Sequence, residues 1–327
     1  MTSKQAVLAC IEFKNPDFLP VLYFNRDKEQ TDALILDYAP PFGFVPSECG
    51  EDEWGVVWQN HSDGTMGQPK SCPLENGYEY LEEYKFPNAY AAGRFDYVSK
   101  LAKQNSDKFL IGGFHLSGFA IVAALRGFEN AMTDLYCQRD DLETLLCKIA
   151  DFEIEIARQY AQIGADAIAF YDDWGTQNTL MINPEIWREI FKPVYKRQFE
   201  AVHKMDCKVY FHCCGNIKLI IDDLIEIGAD VLNLNQPDIF PVSYLEEKYR
   251  GKICFNCPVD HQTVAIFGTD KEINDYVDAL CEKLGTENGG FFGYIEEYKS
   301  VGMSEENYQS IRAAFARQRF VCYNKKD

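Results

Sequence analysis

The stretch FHCCGN at residues 211–216 sets a histidine beside two cysteines at the end of an apolar run. Side chains on a strand alternate faces, so a strand reaching that far puts His212 and Cys214 on one face and Cys213 on the other. An imidazole and a thiolate that meet at one point suit a borderline-soft ion such as zinc, whose catalytic sites commonly combine three protein ligands with an open position. The same residues also fit an ordinary core, because Cys is among the most buried residue types and an interior His is often simply hydrogen-bonded. A second set of groups lies in YDDWGTQ, residues 171–177. Its two successive carboxylates point to opposite sides of the strand. Asp173 shares a face with Tyr171 and is the candidate to orient a substrate hydroxyl or act as general acid or base. Crowding with Asp172 favours a raised pKa for one of the two. The competing reading is capping of the following turn by Asp173 or Thr176.

Other run ends carry polar groups that can line a binding site: Asn233, Asn235 and Gln236 in VLNLNQP, His115 in GGFHLSG, and Asp260 and His261 in NCPVDHQ. Buried amides need partners, which a polar ligand or a water supplies. Trp54, Trp58 and Trp174 are candidate apolar walls, with plain core packing as the alternative. Cys207, Cys254 and Cys281 read as packing residues.

The elements that must position these groups follow a rhythm. From about residue 108, short apolar runs (FLIGGFH, ADAIAFYDD, KVYFHCC, DVLNLNQ, KICFNC, GGFFGYI) alternate with amphipathic stretches of helical length. One helix is expected to end at Gly164 and another to start at Asn183 and Pro184. PVLYFN at 20–25 adds a strand. Alternating β and α elements require a parallel sheet covered by helices, and the length favours a closed (β/α)8 TIM barrel over an open sheet. No G-x-G-x-x-G turn follows the first strand, which argues against a dinucleotide-binding sheet. Residues 26–108 fit the rhythm poorly. They hold DEWGVVW, SDGTMGQPK and CPLENGYEYLEEYKFP, and are expected to form an N-terminal insertion or cap over the barrel mouth within a single domain spanning 1–327.

Composition narrows the function classes. Lys and Arg total 32 against 51 Asp and Glu, so the formal charge of −19 repels nucleic acid and anionic membrane surfaces. No apolar run reaches the ~18–20 residues needed to span a bilayer. Twelve cysteines scattered without a repeating frame, and no signal-like N-terminal stretch, point to a reducing cytoplasm.

Taken in order, YDDWGTQ, FHCCGN, IEIGADVLNLNQP and VDHQ resemble the uroporphyrinogen decarboxylase superfamily, and NPEIWREIFKPVYKR and MSEENY extend the match. DEWGVVW and LRGFEN are similar to its methyltransferase-like members. The resemblance implies a βα barrel and one of two chemistries. One is cofactor-free decarboxylation of uroporphyrinogen. The other is methyl transfer to or from the corrinoid (cobalamin) of a partner protein, with zinc held by a His-x-Cys pair and a third ligand. The true decarboxylases resemble one another in an arginine-bearing R-Q-A-G-R segment; here the region reads LPVLYFNRDKEQ, with Arg26 as its only arginine. An octa-anion is poorly served by such a site. His212 and Cys214 match the methyltransferase motif. The third cysteine of the thiol-methylating members is missing from GGFFGYIEEYKS, which leaves Glu297, Glu296 or Cys257 as candidates for that position. The resemblance therefore implies a zinc-dependent demethylase acting on a methoxy or methylamine donor, with Asp173 and Tyr171 orienting substrate or delivering a proton. The alternatives are a porphyrinogen decarboxylase and a non-catalytic relative.

Overall fold

The computed structural model describes residues 1–24, 26–59, 67–297, 299 and 301–323. Of SDGTMGQPK, residues 62–66 lie outside the described residues. The strands are β1 (Val21–Tyr23), β2 (Ala33–Asp37), β3 (Val57–Gln59), β4 (Gln68–Ser71), β5 (Phe109–Gly113), β6 (Ala167–Tyr171), β7 (Lys208–Cys213), β8 (Val231–Leu234), β9 (Cys254–Cys257) and β10 (Phe291–Ile295). Eight of them form a parallel sheet in the order β1-β10-β9-β8-β7-β6-β5-β2, while β3 and β4 pair as a separate antiparallel hairpin. This is the expected α/β barrel.

The seam between β1 and β2 is closed mainly by side chains. Asp32 N–H donates to Val21 O at 2.9 Å, and Val21 N–H donates back to Asp32 Oδ2 at 3.0 Å. Tyr23 N–H donates to Thr31 Oγ1 at 3.0 Å. Ser3 Oγ and the Arg319 guanidinium also donate to the buried Asp32 carboxylate.

Inward side chains alternate with outward ones along each strand. Phe109, Ala169, Tyr210, Cys254 and Phe292 fill the barrel, and the helix Ser3–Glu12 plugs its N-terminal end through Val7, Cys10 and Ile11. Of these, the Phe109, Phe292, Val7 and Ile11 side chains each contribute roughly 1.5–3 kcal/mol when fully buried. That helix starts on a reciprocal cap, with Gln5 N–H donating to Thr2 Oγ1 and Thr2 N–H to Gln5 Oε1. Asn183 caps the helix at Pro184 as its sequence predicts, accepting from Glu185 N–H at 2.9 Å. Pro193, which has no N–H to donate, lies just beyond a π-type turn at Trp187–Phe191 in the same helix.

The region read as a cap needs correction. TDALILDYAP supplies β2, a full barrel strand paired with β5, and Asp96–Gln104 is a barrel helix. Among the described residues, the part outside the barrel pattern is therefore confined to 38–59 and 67–95. It is anchored by Leu74 N–H on Leu125 O at 2.9 Å and by the buried Arg94, which is ion-paired with Glu53 and donates to Asn88 O at 2.8 Å. Among the described residues no helix is long and apolar enough to cross a membrane.

Candidate active site

The register of the sheet sets Tyr171, His212, Asn233 and Asn256 side by side on β6, β7, β8 and β9. All four face inward at the C-terminal end of the barrel, where the loops after the strands meet substrate in this architecture. Asn233 Nδ2 donates to Asn256 O at 2.6 Å, which turns its Oδ1 toward His212 Nδ1, also at 2.6 Å. An amide oxygen only accepts, so His212 carries a proton on Nδ1 and presents Nε2 to the other groups of the cluster. Asn256 is held in turn by donating to Phe292 O and Gly293 O and by accepting from Tyr210 OH at 2.7 Å.

His212 Nε2 lies 3.7 Å from Cys214 Sγ and 3.7 Å from Asp173 Oδ1. The three ligand atoms all stand within 4.8 Å of one another, the one such group of His, Cys and carboxylate atoms among the described residues. One imidazole nitrogen, one sulfur and one oxygen is a donor set that zinc accepts. Burial, reinforced by the Asp173 charge, pushes the Cys214 thiol well above its ordinary range. Cys213 faces outward, as alternation requires, and accepts from Trp174 N–H at 3.1 Å.

Two glycines bring these groups together. The loops after β6 and β7 run back to back: Gly175 N–H donates to Cys214 O at 3.3 Å and Asn216 N–H to Thr176 O at 2.8 Å. A Cβ on Gly175 would stand 2.6 Å from Gly215 Cα, and one on Gly215 2.6 Å from Gly175 Cα. Gly215 also has φ +77°, which a side chain rarely adopts. At this contact Asp173 Oδ1 accepts from Cys214 N–H at 2.7 Å.

The expected third ligands Glu297, Glu296 and Cys257 are not in the group that the described residues bring together with His212 and Cys214. Cys257 points out of the barrel into the helix layer, the face opposite Asn256. Glu296 accepts from Tyr294 OH at 2.8 Å, and Glu297 Oε2 accepts from Lys299 N–H at 2.9 Å. The carboxylate that stands with His212 and Cys214 is Asp173.

The adjacent carboxylate, Asp172, caps a helix, but not the turn that follows it. It is buried and accepts from Phe119 N–H at 2.9 Å and Ala120 N–H at 3.0 Å, at the start of helix Gly118–Arg126, and from Tyr195 OH. Burial raises its pKa to about 7. Glu153 accepts from Gly118 N–H at 3.1 Å on the same helix end, and burial raises it to about 8.

A cavity of about 580 Å³ opens in front of the cluster, walled by Tyr171, Asp173, His212, His115, Met181 and the small residues of helix Gly118–Arg126. Tyr171 brings a buried phenol oxygen with no hydrogen-bond partner and a ring 5.3 Å from that of His212. Of the expected substrate contacts, His115 is an exposed wall residue. Asn233 is buried behind His212. Gln236 accepts from Gly215 N–H at 2.9 Å and braces the loop. Asn235 Oδ1 is buried without a partner. Trp174 is not a wall: it is fully buried between Phe119 and Phe191, with Nε1 donating to Tyr195 OH at 3.0 Å. Asp260 is buried and caps the turn at Gln262, and burial holds the neighbouring His261 neutral, with its pKa down to about 4.

The model of the uroporphyrinogen decarboxylase (URO-D) family matches residues 71–294, more than half of the chain. The chain belongs to the uroporphyrinogen decarboxylase family. Among curated proteins it is similar to the methylcobamide:CoM methyltransferase MtbA of Methanosarcina mazei, 26% identical over 180 residues, which are 53% of this chain and 52% of that protein. It is also similar to the uroporphyrinogen decarboxylase of Chlorobaculum parvum, 21% identical over 198 residues, 58% of this chain and 54% of that one. The chain spans about half the length of the curated relatives it matches. A solved structure described as a methyltransferase from Methanosarcina mazei superposes with a TM-score of 0.76 at 15% identity, covering 97% of this chain and 99% of that one. At that identity the likeness concerns the fold.

Proposed function

We propose that this protein is a zinc-dependent methyltransferase that moves a methyl group between a small methylated donor, of methoxy or methylamine type, and a corrinoid carried by a partner protein. The observation that carries this reading is the convergence of His212 Nε2, Cys214 Sγ and Asp173 Oδ1 at the strand ends, with the imidazole tautomer fixed by Asn233. The similarity to a methylcobamide:CoM methyltransferase supports the same class of reaction.

His212, Cys214 and Asp173 would hold the metal. Zinc so held supplies Lewis-acid polarisation of a substrate heteroatom. The corrinoid supplies the methyl acceptor. The chain does the rest. Phe119, Ala120, Ala123, Ala124 and Met181 give the donor an apolar enclosure that limits water. Tyr171 lines this space, and its hydroxyl, buried with no partner of its own, would donate to the heteroatom as the methyl group leaves.

The decarboxylase reading finds less support. Among the described residues lining this cavity there is no Lys or Arg, and Arg26 donates to Glu305 at 3.1 and 3.2 Å.

The deciding experiment is zinc analysis of the anaerobically purified chain beside His212→Ala, Cys214→Ala and Asp173→Ala, followed by methyl-transfer assays with corrinoid protein. About one zinc per chain, lost in the His212 and Cys214 variants together with activity, is expected. Full zinc content and activity in His212→Ala would refute the reading.

A further inference from the structure

Beside the cavity at the His212 cluster lies a second chamber of about 410 Å³ under the cap, adjoining the first along Trp58, His115, Leu116 and Ala124. Its aromatic walls are Tyr38, Phe44, Trp54 and Trp58, and its charged lining is Glu51, Asp52 and Glu53. Among the described residues that line either chamber there is no Lys or Arg.

The three carboxylates differ in how far they are neutralised. Glu53 is ion-paired with Arg94, whose guanidinium lies 5.4 Å from the Tyr38 ring centroid and is not part of the lining. Asp52 accepts from Trp54 N–H at 2.9 Å, Val56 N–H at 3.0 Å and Trp58 Nε1 at 2.8 Å. Glu51 accepts from Ser47 N–H. Donors of this kind are neutral, so the charges of Asp52 and Glu51 persist at the chamber wall. The bond from Trp58 has a further effect. A carboxylate on the indole N–H drives electron density into the ring and deepens the negative potential of its face. Aromatic faces attract cations, Trp most strongly, and the attraction grows where water is excluded. Walls of this composition repel an anion and leave a neutral apolar group without electrostatic reward.

We propose that this chamber binds an alkylated ammonium group, the recognition end of a cationic substrate whose methyl-bearing end lies at the His212 cluster. The second half of that statement rests on the methyl-transfer reading; the binding of the cation does not.

The test is calorimetric titration of the whole, zinc-stripped chain with choline, with the neutral alcohol that has carbon in place of the choline nitrogen, and with the tert-butylacetate anion. Choline is expected to bind about tenfold more tightly than the alcohol, with the anion weakest. Trp58→Leu keeps an apolar wall and is expected to remove the preference for choline while leaving the alcohol unaffected. Glu51→Gln is a milder change at the rim, expected to weaken choline at least about twofold, and it decides the matter if Trp58→Leu fails to fold. Equal affinity for choline and the alcohol, tighter binding of the anion, or an unchanged preference in the folded variants overturns the proposal. Zinc content and methyl transfer are read separately, so failure of the methyl-transfer reading is distinguishable from failure of this one.

Discussion

His212 donates from Nδ1 to the side-chain oxygen of Asn233 over 2.6 Å, and Asn233 cannot turn away because its other end donates to Asn256 O. Partners of this kind set the tautomer and aim of a ligating histidine, and their loss typically costs 10–100-fold in metal affinity. Asn233→Leu, which keeps the branched shape without the amide, is therefore expected to retain the barrel's circular dichroism and lower zinc affinity by about that factor, read by chelator competition. An affinity within twofold of the parent chain would mean that His212 is aimed by something else.

Zinc binding is expected to release the Cys214 proton. The metal takes the thiolate, whereas burial and Asp173 keep the free thiol protonated through the neutral range. Affinity should consequently rise with pH, about tenfold per unit while the thiol remains the protonated form. Calorimetry in buffers of different ionisation enthalpy measures the released proton. In Cys214→Ser this contribution should vanish.

Gly215→Ala places a methyl group against the backbone of Gly175 and fixes an L residue at φ +77°. The two loops must part, so a loss of about 1–3 kcal/mol in denaturant unfolding is expected, together with weaker zinc binding as Asp173 and Cys214 separate. Gly164→Ala shares the positive φ but meets no atom within 4 Å, and should leave zinc binding intact.

Tyr171→Phe separates chemistry from packing. The hydroxyl has no partner, so its removal should leave stability unchanged or raise it by up to about 1 kcal/mol. Methyl transfer should fall by about 100-fold or more in kcat if the phenol serves the departing heteroatom. Full activity in this variant would leave Tyr171 a wall residue and nothing else.

Glu153 makes stability depend on pH. Its pKa is raised from 4.5 to about 8 by burial, so between those values the native chain keeps a proton that the unfolded chain has released. Stability is fullest below that window and falls as pH rises through it. Glu153→Gln removes the titration, and the Gln198 side-chain oxygen, buried without a partner, can accept from the new amide. Unfolding free energy at pH 8 should rise by at least about 1.4 kcal/mol, the equivalent of a single pKa unit. The part of the slope that belongs to Asp172 should persist.

Much of this was legible in the sequence, for reasons particular to each element. The fully buried parallel strands read as continuous apolar runs, and strand alternation alone separated Cys214 from Cys213 and Asp173 from Asp172. The strand ALILD was passed over because it is five residues long and sits directly before the irregular stretch that covers the mouth. The role of Asn256 carried a visible signal, a lone amide inside the apolar run KICFNC, but its meaning depends on a register that pairs it with Asn233. Asp172 could not be read at all from its neighbours, because the helix it caps begins more than fifty residues earlier in the chain. Trp174 misled for a similar reason: its place beside two carboxylates suggested a wall, while its pocket is assembled from Phe119, Trp187, Phe191 and Tyr195.

The seam at Asp32 has a consequence for the order of folding. One carboxylate receives Ser3, Val21 and Arg319, so the ring of strands is fastened by residues separated by almost the whole chain. Contacts of such long sequence separation form late and slowly. A nascent chain emerging from the ribosome can assemble β2 and β5 to β9 with their helices as a curved, open sheet, but the ring stays open until β10 is made, because β10 pairs with both β9 and β1. During synthesis this protein therefore exposes two strand edges, and a chaperone that shields such edges would act on it before β10 is in place.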